Sequence, residues 1–437
     1  MDQTLNVSVL LVVACCVVLW GLLSARLERW QITAPIAFVF LGLVVTHGPV
    51  VLVHLRLHSS TIRSLAEITL ALVLFADASR VNARALGGDL GIPVRLLGIG
   101  LPLTIGAGAV LAFGLFSSSG IWVAATIGAI VAPTDAALGA TIISDERVPS
   151  RVRRILNVES GLNDGIATPF VNLFLAGALA TEAINSSGVS KAAVDLIGGA
   201  ALGAGSGLVG ALLLALAMRS GWSADGFRPL VVFALAVVAY SVAVVLDVNG
   251  FVAAFVAGLA FGTVLGTHEE ELRGFTEETG TLLSLLVWFS FGAVMLEPGL
   301  AAATWRDLVF AILALTVVRM VPVAIALAGS GFDRATVAFI GWFGPRGLAS
   351  VVFGLLAVDS LAQAEAKVVL GVVVVTVALS VLAHGISSSP LAGRYGAHAD
   401  SLRRERPEHH VTPRLSVRKL KVGHRPLERA PRRRRSS

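Results

Sequence analysis

The sequence predicts an all-α polytopic membrane protein of about thirteen transmembrane helices. Of its 437 residues, 55% are hydrophobic and only 14% are charged, whereas a soluble domain carries about 25% charged residues. A soluble fold of this length has no interior large enough for so much apolar surface, but a bilayer solvates the outside of every helix. The apolar residues also occur in runs of the length that spans a hydrocarbon core.

Polar residues, Gly and Pro separate these apolar runs and define the predicted helices. The predicted spans are residues 5–24, 33–54, 62–79, 92–116, 120–143, 154–179, 192–218, 228–247, 249–267, 279–296, 307–329, 334–357 and 366–387. The weakest division is the break at Asp247, Asn249 and Gly250, which are turn residues. The only two cysteines, Cys15 and Cys16, are neighbours in the first run. This usage excludes a disulfide framework or zinc pattern, and we expect no cofactor.

The composition predicts a transmembrane domain over residues 1–389 and a basic tail over 390–437. The tail has 14 Lys and Arg against 4 Asp and Glu, which makes it strongly positive in a chain of net charge +6. It lacks an apolar period, so we expect it to be disordered. A basic tail next to a membrane domain favours the anionic cytoplasmic leaflet of the lipid bilayer as its partner, not nucleic acid.

Arginine placement predicts the orientation in a cell membrane. Loops after odd-numbered spans are rich in Arg, with a cluster over 147–154, and the opposite loops carry few basic residues. The positive-inside rule then puts the N-terminus outside and the C-terminus in the cytoplasm.

Two spans are interrupted near their centres. The interruptions are Ala132-Pro133-Thr134-Asp135 in the fifth span and Gly344-Pro345-Arg346-Gly347 in the twelfth. Pro133 removes a backbone donor, so freed carbonyls there could join Thr134 and Asp135 as oxygen ligands of a hard cation. Paired interruptions in the two halves of a chain indicate an inverted-repeat transporter.

Few ionisable side chains lie within the spans, and each costs roughly 2.5 kcal/mol or more at the bilayer centre, so each marks a candidate site. They are Asp77, Asp135, Glu159, Asp164, Arg319 and Arg346. For Asp135 and Asp164 the favoured interpretation is ion or proton binding, and the alternative is a structural role of holding arginines.

The sixth span concentrates several polar groups. Asp164 lies about 15 Å beyond Arg154 along the helix, near the bilayer midplane. Glu159 and Asn163 share one helix face, and Ser160 shares the adjacent face with Asp164. The helix thus presents an acid, a hydroxyl, an amide and a second acid toward a close crossing with another helix.

For the other charges within the spans, a structural interpretation is favoured for Glu159 and Arg319 and weighs as much as the functional one for Arg346 and Asp77. Glu159 and Arg319 both need partners, and a buried ion pair between them satisfies both. Arg346 could cap the broken helix or tune the electrostatics of the site. Asp77 could be an interfacial acid or a pathway ligand.

The segments Pro133-Thr134-Asp135 and Glu159-Ser160-Gly161-Leu162-Asn163-Asp164-Gly165 resemble the motifs of monovalent cation:proton antiporters. They are most similar to the sodium/proton exchanger branch that has Asn-Asp where other members have Asp-Asp. The resemblance covers residues 5–387. It implies an antiporter fold with two broken helices that cross beside the site, usually in a homodimer.

The resemblance also implies residue roles. Asp164 would bind the transported Na⁺ or the proton in turn. Asp135, Ser160 and the Thr134 carbonyl would be co-ligands of the cation, and Asn163 would complete the site.

More distant positions match the family too. Glu159 resembles an acid that pairs with an arginine on a later helix, here Arg319. Asp77 resembles an acid that lines the inner route. Arg346 lies in a stretch similar to the Gly-x-Arg-Gly of the second broken helix. Arg346 and Pro133 would support the two broken helices.

These observations predict a secondary active antiporter, not an enzyme, that exchanges a monovalent cation for H⁺. Na⁺ is the first choice, with K⁺ or Li⁺ as alternatives. Asn163 replaces a second carboxylate, so we expect one proton per cation and electroneutral exchange. A cation channel would need rings of acids and a filter loop. An intramembrane aspartic protease would need Tyr-Asp and Gly-x-Gly-Asp contexts, which Asp135 and Asp164 lack.

Overall fold

The computed structural model describes residues 7–30, 32–48, 51–52, 55, 59–80, 91–183, 187–266, 270–403 and 405–409. Within these ranges the regular structure is helical and there is no strand, so the predicted all-α class is confirmed. Each predicted apolar run coincides with one helix or with consecutive helices. By length and composition, seven helices of the described part could cross a membrane, and four shorter apolar helices accompany them.

The helices of the first half of the chain include two very long ones, α8 and α9, and two short ones of five residues each, α4 and α7. They are α1 (Val7–Arg29), α2 (Ala34–His47), α3 (Ser60–Ser79), α4 (Gly91–Arg95), α5 (Leu101–Leu115), α6 (Gly120–Val131), α7 (Ala140–Ser144), α8 (Ser150–Ala183) and α9 (Ser187–Arg219). A π-helical turn, Leu96–Gly100, joins α4 to α5.

The second half is interrupted more often. Its helices are α10 (Arg228–Val245), α11 (Gly250–Leu265), α12 (Glu270–Ser290), α13 (Leu296–Ala302), α14 (Trp305–Leu315), α15 (Val317–Ala326), α16 (Arg334–Trp342), α17 (Leu348–Ser360) and α18 (Gln363–Ser401). A second π-helical turn, Phe291–Met295, joins α12 to α13. The predicted break before α11 is present, and the Asn249 side chain caps this helix by accepting from Val252 N–H at 2.9 Å.

The helices pack as two bundles. Helices α2, α3 and α9–α12 pack mainly on one another and form the first bundle. Helices α4–α8 and α14–α18 form the second bundle, and α3 and α8 meet where the bundles touch. Gly203 and Gly207 let α9 lie directly on α11, because a Cβ at either position would come within 2.3 Å of an α11 carbonyl oxygen.

The outer helices carry apolar side chains on their exposed faces. Leu22 of α1, Ile197 of α9 and Val245 of α10 are 79%, 72% and 82% exposed. In α1, Cys16 is the only buried residue. Such faces are unfavourable in water and suit helices surrounded by lipid.

Both predicted mid-span interruptions are present. Helix α6 ends at Val131, and α7 begins only at Ala140. Helix α16 ends at Trp342, and α17 begins at Leu348. In each case a proline inside the gap cannot donate the hydrogen bond that would continue the helix.

One further break was not predicted. The single span expected over 307–329 divides into α14 and α15 at Thr316, whose φ and ψ are −111° and −92°. The break frees the Ala314 carbonyl, which accepts from Arg346 Nη2 at 3.3 Å. Because this partner comes from a distant part of the chain, the local sequence gives no signal for the break.

The predicted start of the disordered tail, at residue 390, is too early in the chain. Helix α18 continues through Pro390 to Ser401, and the following turn at 407–409 buries Glu408. Residues at helical spacing, among them Ala392, Tyr395 and Ala399, face the second bundle. A proline costs a helix one hydrogen bond, and this packing offsets it. Residues 410–437 of the predicted tail lie outside the described residues.

Candidate functional site

The two interrupted helices meet at their gaps. Asp135 N–H donates to Pro345 O at 2.8 Å, and Leu348 N–H donates to Asp135 Oδ2 at 2.8 Å. Each gap therefore satisfies backbone groups of the other, as buried backbone requires. The crossing of two broken helices, which the sequence resemblance implied, is present in the structure.

Asp135 holds this crossing together. Its Oδ1 accepts from Ala137 N–H at 2.6 Å and from Leu138 N–H at 3.2 Å, in addition to the bond from Leu348. The carboxylate thus lies at the N-terminus of α17, where the helix dipole favours negative charge. Gly347 is required beside it, because a Cβ there would come within 2.0 Å of Asp135 Oδ2.

This capping role was not predicted, although Asp135 was singled out as a cation ligand. The bond that Ala137 N–H donates to Asp135 Oδ1 is an Asx-turn, which an Asp within a gap can signal. The bond to Leu348 spans 213 residues of sequence and carries no local signal.

Arg346 caps the carbonyl ends of two helices. It is fully buried. Its Nη1 donates to Ala132 O at 2.6 Å and Pro133 O at 3.3 Å, where α6 has just ended, and its Nη2 reaches Ala314 O. The contacts match the cap interpretation of Arg346.

Sequence reasoning missed three polar residues that support the same crossing. Ser350 Oγ donates to Ile130 O at 2.7 Å, and Ser380 Oγ accepts from Arg346 N–H at 2.7 Å. His384 is 2% exposed, and its Nε2 lies 2.8 Å from Trp342 O. A histidine inside an apolar span is itself a signal, so His384 could have been found.

Glu159 and Arg319 form a bidentate ion pair, as the sequence predicts. Arg319 Nη1 lies 2.6 Å from Glu159 Oε1, and Nη2 donates to Oε2 at 2.8 Å. Both side chains are almost completely buried. The parallel geometry is the strongest arrangement for this pair of groups.

Helix α8 connects the candidate ligands to the crossing. Asn163 Nδ2 donates to Thr134 Oγ1 at 2.5 Å, while Asn163 Oδ1 is buried without a hydrogen-bond partner. Ser160 Oγ donates to the Leu156 carbonyl of its own helix. A hydroxyl that gives away its hydrogen in this way keeps its oxygen lone pairs for a cation.

Three carboxylates converge where the bundles touch. Asp164 of α8 is half-buried, and Asp135 and Asp77 are the carboxylates near enough to act on its charge. Asp77 comes from α3 in the first bundle and packs beside Gly161, where a Cβ would lie 3.8 Å from Asp77 Cβ. The structure thus assembles all three predicted acids across the bundle boundary.

No group of three or more His, Cys, Asp or Glu side chains in the described ranges is arranged to hold a resident metal ion. A cation bound at Asp164 would therefore need mixed ligands. Carboxylate, hydroxyl, amide and backbone oxygens are all present at this crossing, and hard cations prefer such oxygen ligands.

Half-buried residues lead along one face of α8 to Asp164. They are Arg154, Asn157, Gly161 and Asp164, at helical spacing from the first turns of α8 to the site. In contrast, residues 69–76 of α3 are all buried. This half-buried face runs toward the end of α8 that the arginine distribution predicts to be cytoplasmic.

Comparisons with known proteins agree with this architecture. A sodium proton antiporter of known structure, MjNhaP1 from Methanocaldococcus jannaschii, superposes with a TM-score of 0.69 over 89% of this chain and 99% of its own, at 19% identity. At that identity the likeness establishes the fold alone.

Sequence relatives include a Na(+)/H(+) antiporter of Schizosaccharomyces pombe, 26% identical over 56% of this chain and 56% of its own length. The K(+)/H(+) antiporter NhaP2 of Shewanella baltica is 27% identical over 68% of this chain and 51% of its own. The chain therefore spans about half the length of these relatives.

The family described as "Sodium/hydrogen exchanger, transmembrane" matches residues 10–393, nearly the whole described chain. Its members are multi-pass membrane transporters and not enzymes, which agrees with the apolar helices and the crossed gaps. The chain belongs to the sodium/hydrogen exchanger family.

Proposed function

We propose that this protein is a secondary active antiporter that exchanges Na⁺ for H⁺ across the membrane. The observation that carries the proposal is the position of Asp164. It is a half-buried acid beside the crossing of two interrupted helices, with Asp135 and Asp77 close by. Acids at this depth in a membrane bundle serve ions or protons.

Exchange follows from competition at Asp164. The carboxylate can be neutralised by a proton or by a cation, and binding of one disfavours binding of the other. If the two loaded forms can change their exposure and the empty charged form cannot, the two gradients are coupled. Movement of one helix bundle against the other is the matching structural change.

The proposed cation ligands are the Asp164 carboxylate, Ser160 Oγ, the Thr134 carbonyl and Asn163 Oδ1. The last of these is supported by its burial without a hydrogen-bond partner. Asp135 contributes a negative charge that three backbone N–H groups hold in place, and it remains a candidate co-ligand through its remaining lone pairs.

The proposed exchange is electroneutral. Asn163 cannot carry charge, and Glu159 is already matched by Arg319. Asp164 is then the group whose charge alternates, which gives one proton per cation. The initial exchange rate should therefore stay constant when a K⁺ diffusion potential is imposed, and a rate that follows the potential would exclude this stoichiometry.

Potassium is the second candidate substrate. It is supported by the relatives that are named K(+)/H(+) antiporters. We also propose that the protein forms a homodimer, on the basis of the family resemblance. The arginine distribution supports a location in the cell membrane with the C-terminus in the cytoplasm.

The proposal is tested in proteoliposomes with a lumenal pH indicator, to which Na⁺, Li⁺ or K⁺ is added. Wild type should dissipate a pH gradient with at least one cation, and Asp164→Asn should not. Asp195→Asn is the matched control, because Asp195 is an acid of α9 that pairs with Lys191 at the surface. Full exchange by Asp164→Asn, or no response of wild type between pH 6 and 9, would overturn the assignment.

A further inference from the structure

An ion pair joins the two bundles at the end where α3 begins and α17 ends. Arg63 of α3 lies in the first bundle and Asp359 of α17 in the second. Arg63 Nη1 is 2.5 Å from Asp359 Oδ2, and the two side chains are 46% and 28% exposed. This pair therefore crosses the boundary at which the site is formed.

The rest of this polar cluster belongs to the first bundle. Arg63 Nε donates to Glu67 Oε1 at 2.9 Å, one turn further along α3. Tyr240 of α10 donates its hydroxyl to Glu67 Oε2 at 3.1 Å. The first bundle thus holds Arg63 in position, and Asp359 is the group that meets it from the other side.

The cluster is far from the acids of the site. Arg63 and Asp77 are fourteen residues apart on one helix, which corresponds to about 21 Å. The cluster lies at the end of the molecule opposite to the half-buried face of α8 that leads to Asp164.

An apolar seal lies between the two bundles, beginning at the level of the cluster and extending toward the site. Ile62 and Ala66 of α3 face Val351 and Leu355 of α17, and all four are buried. The gap between these helices and α12 is a cavity of about 10 Å³, which is no more than the space one water needs.

We propose that the Arg63–Asp359 ion pair is a latch that holds the bundles together when the site opens to the opposite end. The inference rests on the proposed exchange function. To expose Asp164 at the Arg63 end, the bundles must separate at the seal, so the latch must break in every cycle. A half-exposed pair suits this role because it contributes little stability and reforms easily.

The first test measures conformation without measuring transport. Val351→Cys, in a background with Cys15→Ala and Cys16→Ala, places a single thiol in the seal. Asp359→Asn should raise the labelling of this thiol by a membrane-impermeant maleimide about two- to fivefold. This is the change in the population of the open state that the loss of one partly exposed ion pair would cause. Asp195→Asn is the matched control: it removes one acidic charge from an ion pair within α9 of the first bundle and touches neither Arg63 nor Asp359, so labelling should not change. Equal labelling in Asp359→Asn and wild type would overturn the latch.

The second test fixes the latch closed. In the same background, Arg63→Cys with Asp359→Cys is joined by a short bis-methanethiosulfonate linker. Exchange should be lost, and reduction should restore it. Glu67→Cys with Tyr240→Cys joins two helices of one bundle and should keep exchange. Full exchange through a closed Arg63–Asp359 link would contradict the latch. Absence of exchange by the parent protein that lacks only Cys15 and Cys16 would contradict the antiporter function and leave the labelling test to decide the latch.

Discussion

The positive charge of Arg319 is one of the most deeply buried in the protein. Among the ion pairs of the described residues, only the one with Glu159 neutralises it. The pair is bidentate, and both side chains are at most 3% exposed. Arg319 also lies against the second gap of the crossing, since a Cβ on Gly344 would come within 2.6 Å of Arg319 Nε. Loss of Glu159 would leave an uncompensated positive charge beside the site.

Glu159→Gln should therefore destabilise the protein by about 3–5 kcal/mol, the range for removing one partner of a buried pair. The double variant Glu159→Gln with Arg319→Met removes both charges and should recover much of that loss. Thermal unfolding of the detergent-solubilised proteins gives the comparison. A double variant that is less stable than the single one would show that the pair is not the source of the effect.

Helix α16 begins with a cap supplied by the far end of the chain. Glu408 Oε1 accepts from Asp333 N–H at 2.7 Å and from Thr336 Oγ1 at 2.8 Å, and Glu408 is 1% exposed. Arg151, at the start of α8, donates to Pro407 O at 2.7 Å. The turn at 407–409 thus fastens two helices of the second bundle that lead to the crossing.

Glu408→Ala should lower stability by about 1–3 kcal/mol, because it leaves buried donors of α16 without an acceptor. Glu405→Ala is the control, as Glu405 lies three residues earlier and is exposed. Both are measured by loss of the folded fraction on heating, followed by fluorescence-detected gel filtration. Equal midpoints for the two variants would contradict the capping role.

Local signals account for which elements could be predicted. Pro133 and Pro345 each mark a gap, and Asp247 with Asn249 marks the turn before α11, because these residues act on their own backbone. The break at Thr316 and the extension of α18 past Pro390 depend on Arg346 and on side chains of other helices, so no window of sequence contains their cause.

The same division applies to the site. Asp77, Asp135 and Asp164 could be found because each is an acid in an apolar span. That Asp135 also caps α17 could not be found, since its partner Leu348 is distant in sequence. The roles of these acids as ligands stay predictions. The structure supports them only by placing the three acids near one another.

At the scale of the whole molecule, the proposed orientation makes the two ends chemically distinct. Lys191 lies at the end that should face outward, and its side chain is 57% exposed. Arg394 of α18 lies at the opposite end and is also exposed. Both accept a cysteine without disturbing the core.

In the background without Cys15 and Cys16, Lys191→Cys should react with an impermeant maleimide in intact cells, and Arg394→Cys only in inside-out vesicles. Positive charge retained on the cytoplasmic side is the physical reason. Labelling after permeabilisation controls for reactivity of each thiol. The reverse pattern would invert the proposed topology and, with it, the side on which the Arg63–Asp359 latch lies.

The cap on α16 also has a consequence for the order of events during biosynthesis. Glu408 follows Asp333 by 75 residues, which a ribosome adds in about 4–15 s. During that interval α16 is already synthesised, but the backbone N–H of its N-cap residue, Asp333, still lacks its hydrogen-bond acceptor on Glu408. The second bundle is therefore completed by nearly the last described residue to be synthesised, and a chain released before that residue would carry every candidate ligand on an unfinished scaffold.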